Sequence, residues 1–213
     1  MSKLRFRYSK LDSSKFISHL DLTATLQRAF LRAGIELKYS EGFNPHPFLS
    51  VALPLSVGFG SVCELVDVGI IGEKLPDINL ISLPDGIKLL DVYMPTRKFS
   101  EIKWIKVQGD LQYDREISQD FLSELSSVYE KSNIIISKRS KRGIKEIDIA
   151  PHVKDVDFAL KNSNTITLTA KISAQEPTLN VNDLLTALDN SLKPDYSDVN
   201  RIELFDANMV QFK

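Results

Sequence analysis

The sequence predicts an α+β fold made of two tandem ferredoxin-like domains, the second with an extra β-hairpin. Three observations predict this fold. The chain has 213 residues, which suits two domains of about 100 residues each. Apolar periodicity gives the order β-α-β-β-α-β in residues 1–96, and the pattern restarts in residues 97–213. Between them, residues 94–97 contain a proline and are typical of a linker.

The first domain begins with a strand and a helix. Residues 4–8 alternate apolar and polar side chains, which is the period of a half-buried strand. Ser18 is the predicted N-cap of the helix, Asp21 occupies the acidic position of a capping box, and Gly34 ends the helix. The apolar stripe of this helix consists of Leu22, Leu26, Ala29, Phe30 and Ala33.

The rest of the first domain is predicted to contain several strands and one short helix. Residues 35–39, 63–70 and 87–93 are predicted strands, and residues 49–59 are a strand or an irregular hairpin. Residues 73–83 are a predicted short helix that stops at Pro84.

The second domain repeats the mixture of strands and helices. Residues 118–131 and 180–192 are predicted helices, the latter capped by Asn180. The turn residues at 162–164 predict a hairpin between strands 155–160 and 165–172. The other predicted strands are residues 102–111, 133–137, 144–149 and 199–205.

Composition narrows the class of protein. The net charge of −1 gives no global basic signal for nucleic acid, although residues 1–60 hold eight basic side chains against four acidic ones. The single cysteine, Cys63, lies in an apolar run and excludes both an internal disulfide and an iron–sulfur cluster held by the chain's own cysteines. No apolar run reaches the roughly 20 residues that cross a bilayer. We therefore expect a cytoplasmic protein with no membrane contact.

The loop at residues 44–47 is the strongest candidate for a functional site. Pro45 and Pro47 restrict the residues that precede them, Asn44 and His46, to extended conformations. A stiff loop can present Asn44 and His46 to a ligand at low entropic cost, or it can be a rigid connecting turn. We interpret it as a binding loop.

The first helix supplies further candidates. His19 in its first turn can act as a general base, contact a phosphate or simply pack. Arg28 and Arg32 lie four residues apart on a polar face and suit an anion, or they are ordinary solvated side chains. A short helix-to-strand connection predicts that the loop comes close to the start of the helix. The predicted shared pocket comprises His19, Asp21, Arg28, Arg32, Asn44, Pro45 and His46, and we predict no metal site there.

A second candidate is a basic hairpin tip in the second domain. It carries five basic side chains within eight residues, which favours contact with RNA or another polyanion. These side chains are Lys138, Arg139, Lys141, Arg142 and Lys145.

Four segments of the sequence resemble the bacterial radical-SAM-linked protein family, a domain of unknown function found fused to or alongside B12-binding radical-SAM proteins. They are residues 4–10 (LRFRYSK), 16–22 (FISHLDL), 39–47 (YSEGFNPHP) and 141–149 (KRGIKEIDI). The resemblance implies a radical-SAM partner that carries S-adenosylmethionine and the iron–sulfur cluster, with no cofactor on this chain. The family's motif residues correspond to His19, Asp21, Asn44, Pro45 and His46, and no reaction is assigned to them.

Two functions follow from these observations. The first is a non-catalytic accessory protein that presents RNA or another anionic substrate to a radical-SAM enzyme. The sequence lacks GxGxxG, GxxxxGK[ST], HExxH and GxSxG motifs, which agrees with a binding role. The second is a metal-independent RNA-processing endoribonuclease, similar in architecture to CRISPR repeat-processing enzymes, with His19 or His46 as acid or base. The nuclease interpretation requires both histidines in one cleft.

Overall fold

The computed structural model describes residues 2–72, 74–140 and 143–213, without the side chains of residues 139 and 140. Its backbone divides into two compact units, the first ending at Glu101 and the second spanning Ile102–Phe212. Both units mix antiparallel strands with helices, so the predicted α+β class is confirmed. Among the described residues, no helix has the length and apolar character to cross a membrane.

Among its described residues, the first unit contains one α-helix and four strands. They are β1 (Ser2–Lys10), α1 (His19–Arg32), β2 (Leu49–Val51), β3 (Ser61–Ile70) and β4 (Ile87–Tyr93). β1 pairs with β3 on one side and β4 on the other, β2 pairs with β3, and every pairing is antiparallel.

One face of this sheet is apolar and packs against α1. The β1 side chains Leu4, Phe6 and Tyr8 are fully buried, and Phe6 stacks on Phe30 of α1 with ring centroids 4.5 Å apart. Burial of a Phe or Leu side chain stabilises a fold by about 1.5–3 kcal/mol. Because successive side chains of a strand point to opposite faces, the intervening residues of β1 point away from α1.

The start of α1 agrees with the sequence-based prediction. The Ser18 hydroxyl accepts a hydrogen bond from the Asp21 backbone N–H at 3.1 Å and donates to the Asp21 carboxylate at 2.7 Å. Asp21 is thus a capping residue, and its charge is also favourable at a helix N-terminus. At the other end, Gly34 follows the helix with φ +75°, which a glycine adopts without strain.

Two predictions for the first unit are wrong. Residues 74–83 form no α-helix, only a 3₁₀ turn at Ile78–Leu80, because Pro76 interrupts a helix and the apolar side chains Ile78 and Ile81 reach the core from an irregular segment. The first residue of the predicted helix, Glu73, lies outside the described residues. The predicted strand 35–39 is reduced to isolated bridges, one of which joins Leu37 to Ile70.

The described part of the second unit, residues 102–140 and 143–212, contains two α-helices and six strands. A four-stranded antiparallel sheet has the order β10-β5-β9-β8, and β6 pairs with β7 in a separate hairpin. The elements are β5 (Trp104–Gln112), α2 (Gln119–Tyr129), β6 (Ile135–Ser140), β7 (Gly143–Asp148), β8 (Val153–Asn162), β9 (Thr165–Ser173), α3 (Val181–Thr186) and β10 (Tyr196–Phe205).

In the second unit, the structure confirms the predicted hairpin turn and the predicted helix cap. The hairpin of β8 and β9 closes at Asn162 and Thr165, as predicted. Asn180 and Asp183 form a complete capping box at α3. The predicted helix 180–192 is nevertheless too long, since α3 ends at Thr186 and the chain continues through turns.

Candidate functional site

A row of polar side chains crosses the face of the first sheet that points away from α1. Ser50 on β2 lies opposite Asp67 on β3, Asp67 lies opposite Arg5 on β1, and Arg5 lies opposite Tyr93 on β4. Directly opposite side chains on neighbouring strands are in contact range. Four residues that are distant in sequence therefore meet on one surface.

Arg5 and Asp67 form a buried ion pair in the middle of this row. The Arg5 Nε donates to Asp67 Oδ1 at 2.7 Å, and its Nη2 donates to Oδ2 at 3.0 Å. Arg5 is only 1% exposed. The same Nη2 also donates to the Arg97 carbonyl at 2.9 Å, and the Phe99 ring stacks on the guanidinium group with its centroid 4.2 Å away. A planar guanidinium that is paired on its edge and stacked on its face is held rigidly.

Tyr93 closes the row on the β4 side. Burial raises the pKa of the Tyr93 hydroxyl, and the positive charge of Arg5 partly opposes this effect. The hydroxyl therefore stays protonated at neutral pH and does not act as a base.

Lys3 adds an accessible positive charge to the row. Its side chain is 58% exposed, and its Nζ lies 3.5 Å from Asp67 Oδ2. Because Arg5 already binds both oxygens of Asp67, the Lys3 ammonium is a second cation beside a carboxylate that is already paired. Lys3 is therefore available for an anionic ligand from solvent.

Two adjoining cavities open on this face, and we call them together the cleft. They share Ser2, Lys3, Ser50 and Asp67. The first, of about 330 Å³, is completed by residues 46–49 and Gly69, and we call it the apolar cavity. The second, of about 710 Å³, is completed by residues 94–99, and we call it the cationic cavity. Both volumes fall within the range of ligand-binding sites, about 300–1,000 Å³.

The predicted binding loop forms one wall of the cleft. Tyr39 bridges to Pro47, and the Ser40 backbone N–H donates to the His46 carbonyl at 2.8 Å. The Ser40 hydroxyl lies 2.9 Å from His46 Nδ1 and accepts from the His46 backbone N–H at 3.1 Å. The imidazole is thereby oriented, and His46 belongs to the lining of the apolar cavity. Asn44 and Pro45 lie in the same loop and are exposed.

The structure does not bring His19 and His46 together. Lys10 at the end of β1 donates to the carbonyls of Lys15 and Ile17, which fixes the segment before α1 at that end of the strand. His46 instead shares a cavity with residues at the start of β1. A nine-residue strand spans roughly 26 Å at about 3.3 Å per residue.

The structure separates the residues of the predicted shared pocket, because the segment after α1 is short. The Lys38 backbone N–H donates to the Gly69 carbonyl close to the end of α1, and the loop continues from there instead of returning to the helix start. Arg28 is exposed on α1, and Arg32 donates to the Ser82 carbonyl at 3.2 Å. His19, Asp21, Arg28 and Arg32 thus lie outside the lining of the cleft, while His46 belongs to it.

The basic hairpin is only partly available for binding. Lys138 Nζ donates to the Asp183 carboxylate at 2.8 Å and to the Thr178 carbonyl at 2.7 Å, so it holds β6 against the start of α3. Lys145, its cross-strand neighbour, is exposed. Lys141 and Arg142, with the side chain of Arg139, lie outside the part of the chain that the structure describes.

Sequence reasoning missed Lys3, Ser50 and Asp67 as members of the site. The alternation of β1 places Lys3 on the same strand face as Arg5, which is a usable signal. A lone aspartate in the apolar segment 65–70 is also a signal, because a buried carboxylate needs a cationic partner. Their convergence with the loop depends on strand register, which the sequence does not reveal.

Comparison with known proteins adds family membership to this geometry. No curated protein matches the chain. Residues 3–185 match the family described as "Uncharacterized protein conserved in bacteria" (DUF2344). The match covers all the residues that line the cleft except Ser2, and the protein belongs to the DUF2344 family.

Proposed function

We propose that this protein is a non-catalytic accessory module that binds RNA in the cleft and works with a radical-SAM enzyme. The observation that carries the RNA proposal is the exposed Lys3 ammonium beside the buried Arg5–Asp67 pair. A fixed ion pair beneath an accessible cation gives a preorganised positive surface, and preorganisation lowers the entropic cost of binding.

The charge of the cleft favours an anionic ligand. Lys98 is exposed on the cationic cavity, and Arg97 lines the same cavity while its Nε contacts Glu101 at 3.1 Å. Among the residues that line the cleft, the cations Lys3, Arg97 and Lys98 outnumber the carboxylate of Asp67. Phosphate groups along a strand of RNA match such a surface, and their binding releases counterions.

The radical-SAM partner rests on the resemblance of residues 4–10, 16–22 and 39–47 to the radical-SAM-linked family. The residues of this chain do not fit an iron–sulfur cluster, since the single cysteine, Cys63, is buried at 4% exposure. We therefore assign S-adenosylmethionine and the cluster to the partner.

A binding role is favoured over the endoribonuclease alternative. Metal-independent RNA cleavage requires an acid and a base on either side of one scissile phosphate. His19 and His46 lie near opposite ends of β1, so they do not supply this pair.

We further propose that both units are variants of the ferredoxin-like arrangement. In each unit the first strand lies between the last two strands of the sheet in chain order. In the first unit β1 lies between β3 and β4, and in the second unit β5 lies between β9 and β10. The first unit differs by the 3₁₀ turn at Ile78–Leu80.

The RNA proposal is tested by fluorescence anisotropy with labelled single-stranded RNA over a range of salt concentrations. We expect Lys3→Ala to weaken binding and to lower the salt slope by about 0.7, the value for one phosphate contact on a single strand. Lys88→Ala is the matched control, because Lys88 is an exposed lysine on β4 of the same unit, outside the lining of the cleft. Equal effects of the two variants would count against the cleft as the binding site.

The partner is tested by co-expression with radical-SAM proteins encoded in the same genome, followed by size-exclusion chromatography. We expect visible iron–sulfur absorbance to coelute with this chain, which has too few cysteines to hold a cluster itself. Separate elution of this chain from every such protein would overturn the partner proposal.

A further inference from the structure

We propose that the apolar cavity accepts one unstacked nucleobase of the bound RNA, while the cationic cavity holds the adjoining phosphate. This inference rests on the proposed RNA-binding function and names the part of the ligand that each cavity takes. The starting observation is that the two cavities differ in chemistry but share the floor formed by Ser2, Lys3, Ser50 and Asp67.

The apolar cavity has the walls that a flat ring requires. Phe48 is 41% exposed and belongs to the lining, as do Pro47 and His46. A base can stack on an aromatic face, and such stacking tolerates any base because every base has a π-face. His46 is held in place by Ser40, so it forms a preorganised part of the wall.

Gly69 allows Phe48 to pack closely against β3. A Cβ atom at Gly69 would lie 2.9 Å from the Phe48 Cβ and 3.5 Å from the Lys38 Cβ. A larger residue at position 69 would therefore displace Phe48. The absence of a side chain at this position thus keeps Phe48 beside the floor of the cavity.

The shared floor supplies hydrogen-bonding groups for the edge of a base. Ser2 and Ser50 carry hydroxyl groups, and Lys3 carries an ammonium group that reaches toward both cavities. An apolar slot next to cationic groups matches the two halves of a nucleotide, an aromatic ring and a phosphate. A purely polyanionic ligand would leave the apolar cavity unused.

The ligand must therefore be single-stranded at this point. Proteins that recognise RNA by base contacts act on loops, bulges and ends, where a base can leave the stack. Duplex RNA offers its phosphates but keeps its bases stacked, so it can occupy the cationic cavity alone.

The test compares full-length protein bound to a single-stranded RNA and to the same RNA carrying abasic nucleotides, with anisotropy as the readout. We expect removal of the bases to weaken binding roughly 5-fold to 150-fold, the range for loss of one stacked base. We expect Phe48→Ala to weaken binding of the intact RNA by a similar factor and to leave the abasic RNA unaffected.

Phe43→Ala is the matched control, because Phe43 is a fully exposed aromatic residue of the same loop that does not line either cavity. Phe48→Leu, which keeps an apolar side chain without a ring, serves as a second variant in case Phe48→Ala alters the loop. Circular dichroism and a thermal melt show that each variant is folded.

The outcomes separate this inference from the proposed function. If Lys3→Ala weakens RNA binding but abasic RNA binds as well as intact RNA, RNA binding stands and the nucleobase site is overturned. If Phe43→Ala has the larger effect, stacking occurs at the loop tip and the cavity assignment is overturned. If neither intact nor abasic RNA binds at low salt, both proposals fail.

Discussion

Arg5 and Asp67 face each other across β1 and β3, and the Arg5 guanidinium donates to both oxygens of the Asp67 carboxylate. A buried ion pair contributes little net stability relative to a well-packed apolar pair, because desolvation of both charges offsets their attraction. In this protein the ion pair fixes the positions of its two side chains. It fixes a charged floor for the cleft on a sheet whose other face is a hydrophobic core.

The first prediction concerns the stability that depends on this pair. Asp67→Asn leaves Arg5 buried without its counter-charge, and we expect the free energy of unfolding to fall by about 3–5 kcal/mol. Asp110→Asn is the control, since its ion pair with Lys161 is open to solvent, with side chains 28% and 56% exposed, and solvent-accessible pairs contribute less than about 1 kcal/mol.

Urea unfolding of both variants provides the measurement. The double variant Arg5→Met, Asp67→Leu should recover much of the loss, because it removes both charges together. A loss for Asp67→Asn as small as that for Asp110→Asn would show that the pair does not constrain the fold.

The second prediction separates structural and binding roles in the basic hairpin. Lys138 is tied to Asp183 and Thr178, so we expect Lys138→Ala to lower the free energy of unfolding by about 1–2 kcal/mol. Lys145→Ala should change stability by less than about 0.5 kcal/mol, as exposed side chains usually do.

RNA titrations of the same two variants test the polyanion prediction for the hairpin. We expect Lys145→Ala to weaken RNA binding and to lower the salt slope by about 0.7. If Lys145→Ala leaves both the affinity and the slope unchanged, Lys145 makes no phosphate contact.

The third prediction concerns pH. The backbone N–H groups of Ile134 and Ala150 donate to Asp148 at 2.9 and 3.0 Å, and they lower the pKa of its carboxyl below the ordinary value of 3.8. Because the pKa of Asp148 is lower in the folded state, its ionised carboxylate stabilises the fold at pH values above the pKa of the unfolded state. This contribution disappears as the pH falls through the pKa of the folded state.

Chemical unfolding at neutral and acidic pH checks this sign. Asp148→Asn should be less stable than the natural protein at neutral pH, and the difference should narrow in acid. Asp157→Asn, at an exposed position on β8, is the control. A difference that stays constant from neutral to acidic pH would mean that the carboxylate charge does not contribute.

The contrast between α1 and the segment 74–83 shows what the sequence could predict. At α1, cap residues and an apolar stripe act locally, and they correctly gave a helix from His19 to the end before Gly34. At residues 74–83 the spacing of apolar residues predicted a helix, but Pro76 and tertiary packing produced a 3₁₀ turn. Local chemistry decides caps and hairpin turns, whereas packing decides weak periodic segments.

The cleft also combines features that local sequence predicts with features that depend on tertiary structure. His46 was identified because two prolines stiffen its loop, and that information is local. Lys3, Ser50 and Asp67 join it only through the register of three strands. The structure places His19 away from His46, because the length of the segment after Gly34 decides at which end of the helix the loop emerges.

The fourth prediction uses the two histidines to test the position of the site. His46 lines the apolar cavity, whereas His19 is exposed in the first turn of α1, at the other end of β1. We expect His46→Ala to weaken binding of single-stranded RNA by at least about 5-fold, as expected for loss of a stacking surface. His19→Ala should leave the affinity unchanged. Both residues are exposed, so each substitution should change the free energy of unfolding by no more than about 0.5 kcal/mol.

Anisotropy titrations and thermal melts of the two variants measure their RNA affinity and their stability under the same conditions. A large drop in the melting midpoint of His46→Ala would mark the loop as a structural turn, because the hydrogen bonds between Ser40 and His46 would then be needed for folding. Equal losses of RNA affinity in His19→Ala and His46→Ala would mean that the ligand reaches along β1 from the cleft to the start of α1. A loss confined to His46→Ala, with both proteins stable, would place the RNA at the cleft and leave His19 outside it.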